Sequence, residues 1–322
     1  MKRRLTGGIC CLAFFLSCPA LAQQSQDGVR WLSRAVAAVH SLNYSGTFVY
    51  QIGTQTETSR ITHMIDGGRE FERLEVLDGS PREVIRGNDE VKCYLPESRT
   101  LIIEKRARRS SFPVLLPASM AGLAEYYTIS KGSTGRVAEH ESQSILLEPC
   151  DHLRYGHQLW VDVDSGLLLK ASLLNEHGQS IETFAFTQLQ IGGNIDREAL
   201  KSKFATQSTQ WQVHNVLATE THDENANWQV NVQLPGFRKL AGMNRLARPD
   251  RPESVHLVFS DGLAAISVFI EALAGKVEPG MTTLGTVNVY QRVIGDRLIV
   301  VMGEVPQATL KILGDGIEAR RK

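Results

Sequence analysis

Long apolar runs are missing from this sequence once Ala22 is passed, so no later segment reads as a membrane-spanning helix. A surplus of positive charge is missing too: 35 Lys and Arg stand against 35 Asp and Glu. That balance argues against general nucleic-acid binding, which needs a broadly basic surface. Cysteine is scarce, with five in 322 residues, and Cys10, Cys11 and Cys18 all lie in the first 22. Catalytic signatures are equally sparse. The nine histidines include no H-E-x-x-H, and no G-x-S-x-G elbow, P-loop or dinucleotide fingerprint occurs.

What is present begins with a leader. Lys2, Arg3 and Arg4 precede the apolar stretch Ile9 to Leu16, and Ala20-Leu21-Ala22 forms an A-x-A cleavage signal. Residues 1–22 therefore read as a secretory signal peptide; Cys18 raises a lipoprotein signal as the rival, in a context that fits a lipobox poorly. Cleavage leaves 32 basic against 35 acidic residues and two cysteines, Cys93 and Cys150, in an oxidising compartment. Either the two form a disulfide, which would contribute about 4 kcal/mol on the chain-entropy model, or they stay separate thiols. The 300 remaining residues exceed one ordinary core, so two domains are expected.

Gly28 to His40 carries apolar residues at helical spacing. The period then changes to two through SGTFVYQIG, RITHMI, EFERLEVL, REVIRG, EVKCYL and TLIIEK, separated by the turn signals DGG, LDGSP, GND and PESR. This rhythm predicts an antiparallel meander curled into a barrel or a bent sheet. A basic, proline-containing stretch, KRARRSSFPVLLPAS, interrupts it before a short helix through AGLAEYY. Strands resume with SILLEP, HQLWVDV, LLLKASLL and SIETFAFTQL, and Asn194 or Asp196 can cap a short helix after them. Residues 23–204 thus form one domain and 205–226, polar and weakly patterned, a linker. A second domain, 227–322, contains WQVNVQLPGF, SVHLVFS, LAAISVFIE, VNVYQRVIG and RLIVVMG, then a helix opened by Pro306.

His256, Ser260 and Asp261 lie within six residues, but extended residues four apart are separated by roughly 13 Å of rise, so they cannot converge as a triad. HLVFSDGLAAISVFIE reads instead as a hairpin turning at Asp261-Gly262. His152 and His157 in DHLRYGH are the closest histidine pair and read as turn and strand-end residues rather than metal ligands. VDVDSG begins like a calcium loop, yet Gly166 stands where a ligand is needed, so a hairpin turn explains it. No cofactor or metal is expected, and the chain does not read as an enzyme. Apolar surface remains: Phe48, Tyr50, Ile61, Phe71, Tyr94, Leu101 and Ile103 could line one concave face for an acyl chain or a bound hydrophobic peptide, or form an ordinary core. Lys105, Arg106, Arg108 and Arg109 at its edge would suit lipid phosphates, or belong to a solvated loop.

SGTFVYQ, LDGSPREVIRG, CYLPESRT, DHLRYGHQLWVDVDSGLLLKASLL, LPGF, FSDGLAAISVFIE and GEVPQATLKI, in this order, resemble the RseB/MucB family. The resemblance implies an α+β protein: an N-terminal LolA/LolB-like half-open antiparallel β-barrel covered by helices, plus a smaller C-terminal α/β domain with an antiparallel sheet. It further implies a periplasmic negative regulator of an envelope-stress sigma factor. Such a protein binds the periplasmic part of a membrane-anchored anti-sigma factor (RseA or MucA), shields it from proteolysis and is released by lipid-type signals such as lipopolysaccharide or lipoproteins. Phe237, Arg238, His256 and Phe259 are the candidate partner contacts. A lipoprotein carrier of the LolA/LolB type is the alternative, and homo-oligomers remain open.

Overall fold

The computed structural model describes residues 19–87, 90–105, 120, 122–217, 228–245 and 254–320. Helix α1 (Pro19–Val39) starts earlier than the helical spacing predicts and runs across the expected cleavage point. The meander follows as β1 (Tyr44–Ile52), β2 (Gln55–Asp66), β3 (Arg69–Val76), β4 (Glu83–Gly87), β5 (Glu90–Leu95) and β6 (Thr100–Lys105). One-turn α2 (Leu123–Tyr126) leads into β7 (Tyr127–Val137), β8 (His140–Pro149), β9 (Gly156–Asp162), β10 (Leu168–Leu174) and β11 (Ser180–Ile191). The predicted short helix is a 3-10 turn, Arg197–Leu200, capped by Asp196, whose side chain accepts from the Glu198 amide at 3.0 Å.

Residues 205–217, assigned by sequence to a linker, instead hold a second 3-10 turn, Gln207–Gln210, and β12 (Gln212–Leu217). Strand β12 pairs with β6 in parallel. All twelve strands make one sheet, ordered β12-β6-β5-β4-β3-β2-β1-β11-β10-β9-β8-β7. It does not close, because β12 and β7 remain as edges. Leu32, Ala35 and Val39 of α1 bury against Phe48, Ile61, Ile145, Leu159 and Phe184, the centre of the N-terminal core. The cover predicted as several helices is, among the described residues, α1 with one-turn α2.

The C-terminal unit contains β13 (Trp228–Val230), β14 (Arg238–Arg245), β15 (Ser254–Ser260), β16 (Ala265–Ala272), β17 (Gly280–Leu284), β18 (Val287–Ile294), β19 (Arg297–Gly303), α3 (Gln307–Asp315) and β20 (Ile317–Ala319). Six strands form an antiparallel sheet ordered β14-β15-β16-β19-β18-β17, and β13 pairs with β20 separately. Pro306 stands immediately before α3, where its fixed φ suits a helix start. Leu257, Ile266, Val268, Ile299 and Val301 alternate onto one face and bury Leu310 and Leu313 of α3.

One sequence expectation needs correction, and one open choice is settled. The β15–β16 connection is four residues, Asp261 to Ala264, not a two-residue Asp-Gly turn, and only Gly262 has positive φ. The Asp261 side chain closes the wider turn by accepting from the amides of Leu263 (2.9 Å) and Ala264 (2.8 Å). Cys93 and Cys150 are both free thiols. Cys93 lies on β5 and Cys150 directly follows β8, with seven strands of the sheet between β5 and β8.

Candidate functional site

The two domains meet around a single guanidinium. Asp151 opens a turn after β8 by accepting from the Leu153 amide at 2.9 Å, which aims Arg154 across the boundary. Arg154 donates from Nε and Nη2 to Asp151 (3.0 and 2.9 Å), from Nη1 to Asp261 Oδ2 (2.7 Å) and from Nη2 to the Pro235 carbonyl (2.5 Å). The side chains of Arg154 and Asp261 are both fully excluded from solvent. Tyr126, Tyr127 and Phe237 stack around the cation at 4.9, 5.7 and 4.9 Å. The Tyr127 hydroxyl also donates to Asp261 Oδ2 at 3.2 Å.

Leu234-Pro235-Gly236-Phe237 explains its own composition here. The Phe237 amide donates to the Leu234 carbonyl at 3.0 Å, closing a turn with proline second and glycine third. Gly236 has φ +82°, and a Cβ there would stand 2.9 Å from both Arg154 Nη1 and the Tyr126 ring. Only glycine lets this turn approach the cation.

Further contacts seal the boundary. Asn288 Nδ2 donates to the Tyr155 hydroxyl at 3.1 Å and to the Val305 carbonyl at 2.8 Å. Thr309 donates to the Leu153 carbonyl at 2.9 Å. Leu263 packs on the N-terminal core and Leu153 on the C-terminal one, so each domain lends the other an apolar side chain. His157 is buried against Tyr127, and burial pushes its imidazole down to about 4, leaving it neutral.

Beside this junction opens a cleft of about 810 Å³. Tyr126, Trp228, Val230, Val232, Leu234, Phe237, Phe259 and Leu313 supply apolar walls, and Arg238, Lys239 and Arg320 supply positive charge. No acidic side chain lines it among the described residues. The edge of β13 away from β20 has no strand partner among the described residues. Of the candidate partner contacts, Phe237, Arg238 and Phe259 line the cleft. His256 does not: it alternates to the other face of β15, stacks on Phe269 at 4.2 Å and contacts Ser267 Oγ at 3.1 Å. Ser260 accepts from the Gly262 amide, so the three residues of the apparent triad have separate employments.

The candidate acyl-chain residues are divided. Phe48 and Ile61 are buried in the core with α1. Tyr50 sits farther along the same face and donates its hydroxyl to Glu182 at the domain boundary. Phe71 pairs with Met64, three residues from Ile61, and so points to the opposite face, where Arg197 covers its ring. Tyr94 and Leu101 lie on that same opposite face, Tyr94 packed on Trp211, and Ile103 follows them half-buried. Lys105 ends β6, its side chain outside the described residues, and Arg106, Arg108 and Arg109 lie outside them altogether. The face that does continue from Ile61 carries Leu74, Val84, Cys93 and Ile102, each the cross-strand partner of the last. These four are half-buried.

Comparison with known proteins decides the kinship. The MucB/RseB N-terminal domain model matches residues 27–204, and the MucB/RseB C-terminal domain model matches 222–318. The chain belongs to the MucB/RseB family. It is 33% identical over 313 residues to the Sigma factor AlgU regulatory protein MucB of Pseudomonas aeruginosa, covering 95% of each chain. It is 28% identical over 315 residues to the Sigma-E factor regulatory protein RseB of Salmonella typhimurium, covering 96% of this chain and 95% of the relative. The solved complex of Pseudomonas aeruginosa MucA and MucB superposes with a TM-score of 0.73 at 29% identity, covering 92% of this chain and all of that one. Both of these relatives carry the name of sigma-factor regulatory proteins. No helix among the described residues is long and apolar enough to cross a membrane.

Proposed function

We propose that this chain is exported after cleavage at Ala22 and holds the periplasmic segment of a membrane-anchored, MucA-like anti-sigma factor in the cleft beside Arg154. The observation that carries this reading is the cleft's lining: aromatic and aliphatic walls, three cationic groups and no acid. An extended segment combining apolar and acidic residues fits such a lining, and the open edge of β13 offers backbone pairing to it. Seated there, the segment is withheld from proteases, and the sigma factor stays inactive.

The lipid signal acts on the N-terminal domain. The half-buried surface of Leu74, Val84, Cys93 and Ile102 continues the core face and suits an acyl chain, which gains about 0.8 kcal/mol per buried CH₂. By linkage, a lipid that weakens the partner must itself be weakened by the partner to the same degree. Pull-down from detergent-solubilised envelope membranes with the tagged mature protein tests the reading. It should recover a single-pass anti-sigma factor, and recovery of lipoproteins alone would favour a carrier.

A further inference from the structure

The domain boundary contains a second polar cluster with a proton inventory that does not balance for two carboxylates. Glu182 on β11 is 3% exposed and Thr286, between β17 and β18, is 6% exposed. The Thr286 hydroxyl lies 2.5 Å from Glu304 Oε1 and 3.3 Å from Glu182 Oε2. Glu182 Oε1 already accepts from Tyr50. A hydroxyl has one proton to donate, and an ionised carboxylate has none. With both acids ionised, one of the two oxygens at Thr286 would face a like charge with no donor between them. A proton on one carboxyl removes the conflict, since it can donate to Thr286 or to the other carboxylate.

The surroundings favour that proton. Burial first, then the charge of Glu304, push the Glu182 carboxyl up to about 7, while the Tyr50 and Thr286 hydrogen bonds pull the other way. No lysine or arginine is among these influences. From β1, Tyr50 faces the pair, with Glu57 of β2 acting on its hydroxyl. From the β8–β9 side, Tyr155 and His157 both feel Glu304, and His157 also feels Asp261.

We infer that the two domains close by taking up one proton, which Glu182 and Glu304 share across the boundary and release when the domains part. The inference does not depend on what occupies the cleft. Its sign follows from the raised acid: the closing constant is highest below the ordinary glutamate range and falls as pH rises through about 7. His157 opposes this. A buried neutral imidazole favours closure above its ordinary 6.5 and resists it in acid. Comparing variants at one pH cancels that opposing contribution.

Two measurements on the full chain decide it. Carboxyl-carbon NMR of glutamate-labelled protein should show one side chain titrating near 7, absent in Glu182→Gln and moved toward the ordinary range in Glu304→Gln. All glutamates titrating in the ordinary range would overturn the shared proton. A donor–acceptor dye pair at exposed Arg30 and Asp296 reads the interdomain distance. The ratio of closing constants, wild type to Glu182→Gln, should fall about tenfold between pH 6 and pH 8. An identical pH response in the two proteins, including none in either, would overturn the coupling to closure.

Discussion

Arg154 and Asp261 form a 2.7 Å ion pair between the two domains, with both side chains sealed from water. The pair is not a stability gain in itself, because desolvating two charges offsets much of their attraction. Removing one partner is a different matter. Asp261→Ala leaves the buried guanidinium with Asp151 as its one remaining carboxylate partner and also frees the Leu263 and Ala264 amides, so it should destabilise the protein by about 3–5 kcal/mol in denaturant unfolding. Arg154→Met with Asp261→Leu should cost clearly less than the two single changes added, since the buried Asp261 charge is then not left facing an apolar side chain, and the loss at Asp151 is common to the single and double Arg154 variants.

Gly236→Ala tests the turn rather than the charge. Its φ of +82° strains any L side chain, and the new Cβ would press on Arg154 and Tyr126. A loss of about 1–3 kcal/mol is expected, with weakened partner binding, because the turn also forms one wall of the cleft. Unchanged unfolding and unchanged binding would remove Leu234–Phe237 from the account.

Two buried groups pull the pH–stability profile in opposite directions. His157 is depressed to about 4, so its contribution is fully present above 6.5 and is lost as pH falls toward 4. Glu182 is raised to about 7, so its contribution is fully present below 4.5 and is lost as pH rises through 7. Between pH 4.5 and 6.5 the two slopes offset, each up to about 1.4 kcal/mol per pH unit. Relative to wild type, Glu182→Gln should therefore lose stability faster on acidification, and His157→Gln faster on alkalinisation, as read by unfolding at several pH values. Parallel profiles for all three proteins would contradict the assignment.

The two free thiols report on the proposed acyl-chain surface. Cys93 is half-buried among Val84 and Ile102, and burial pushes its thiol pKa up, whereas Cys150 is exposed. Lipid bound at this surface should slow alkylation of Cys93 severalfold and leave Cys150 unchanged, the second thiol serving as the control. Equal rates at Cys93 with and without lipid would place the acyl chain elsewhere.

The strands legible in the sequence are the inner ones. SGTFVYQIG, SILLEP and VNVYQRVIG alternate clearly because each inner strand buries one face and pairs on both sides. The four edge strands of the two larger sheets, β7, β12, β14 and β17, are not legible as strands in the sequence, and β12 reads as linker. An edge strand is half-solvated and tolerates Gly132, Gly135, Gly242 and Lys239, so its period is blurred. The acyl-chain candidates divide between two faces of the sheet for a related reason. Phe71 and Tyr94 are aromatic strand residues like Phe48, but the strand registers put them on the face opposite Ile61, which Leu74, Val84, Cys93 and Ile102 continue.

The domain junction was present in the sequence only in pieces. DHLRYGH, LPGF, FSDG and GEVPQAT were each visible, and Asp261 was correctly read as a turn residue. That the same carboxylate also neutralises Arg154, 107 positions away, depends on how the domains dock, which no local pattern encodes. Nor did spacing single out Glu182 and Glu304, which belong to different domains and meet through Thr286.

The most direct test of the cleft is a binding titration with the purified periplasmic domain of the cognate anti-sigma factor at fixed salt. Charge reversal of Arg238, Lys239 and Arg320 touches no bond of the Arg154 cluster, so the fold should persist. The account predicts that the triple variant binds at least about tenfold more weakly, with a smaller salt dependence than the wild type. A triple variant that is folded and binds with wild-type affinity would contradict it.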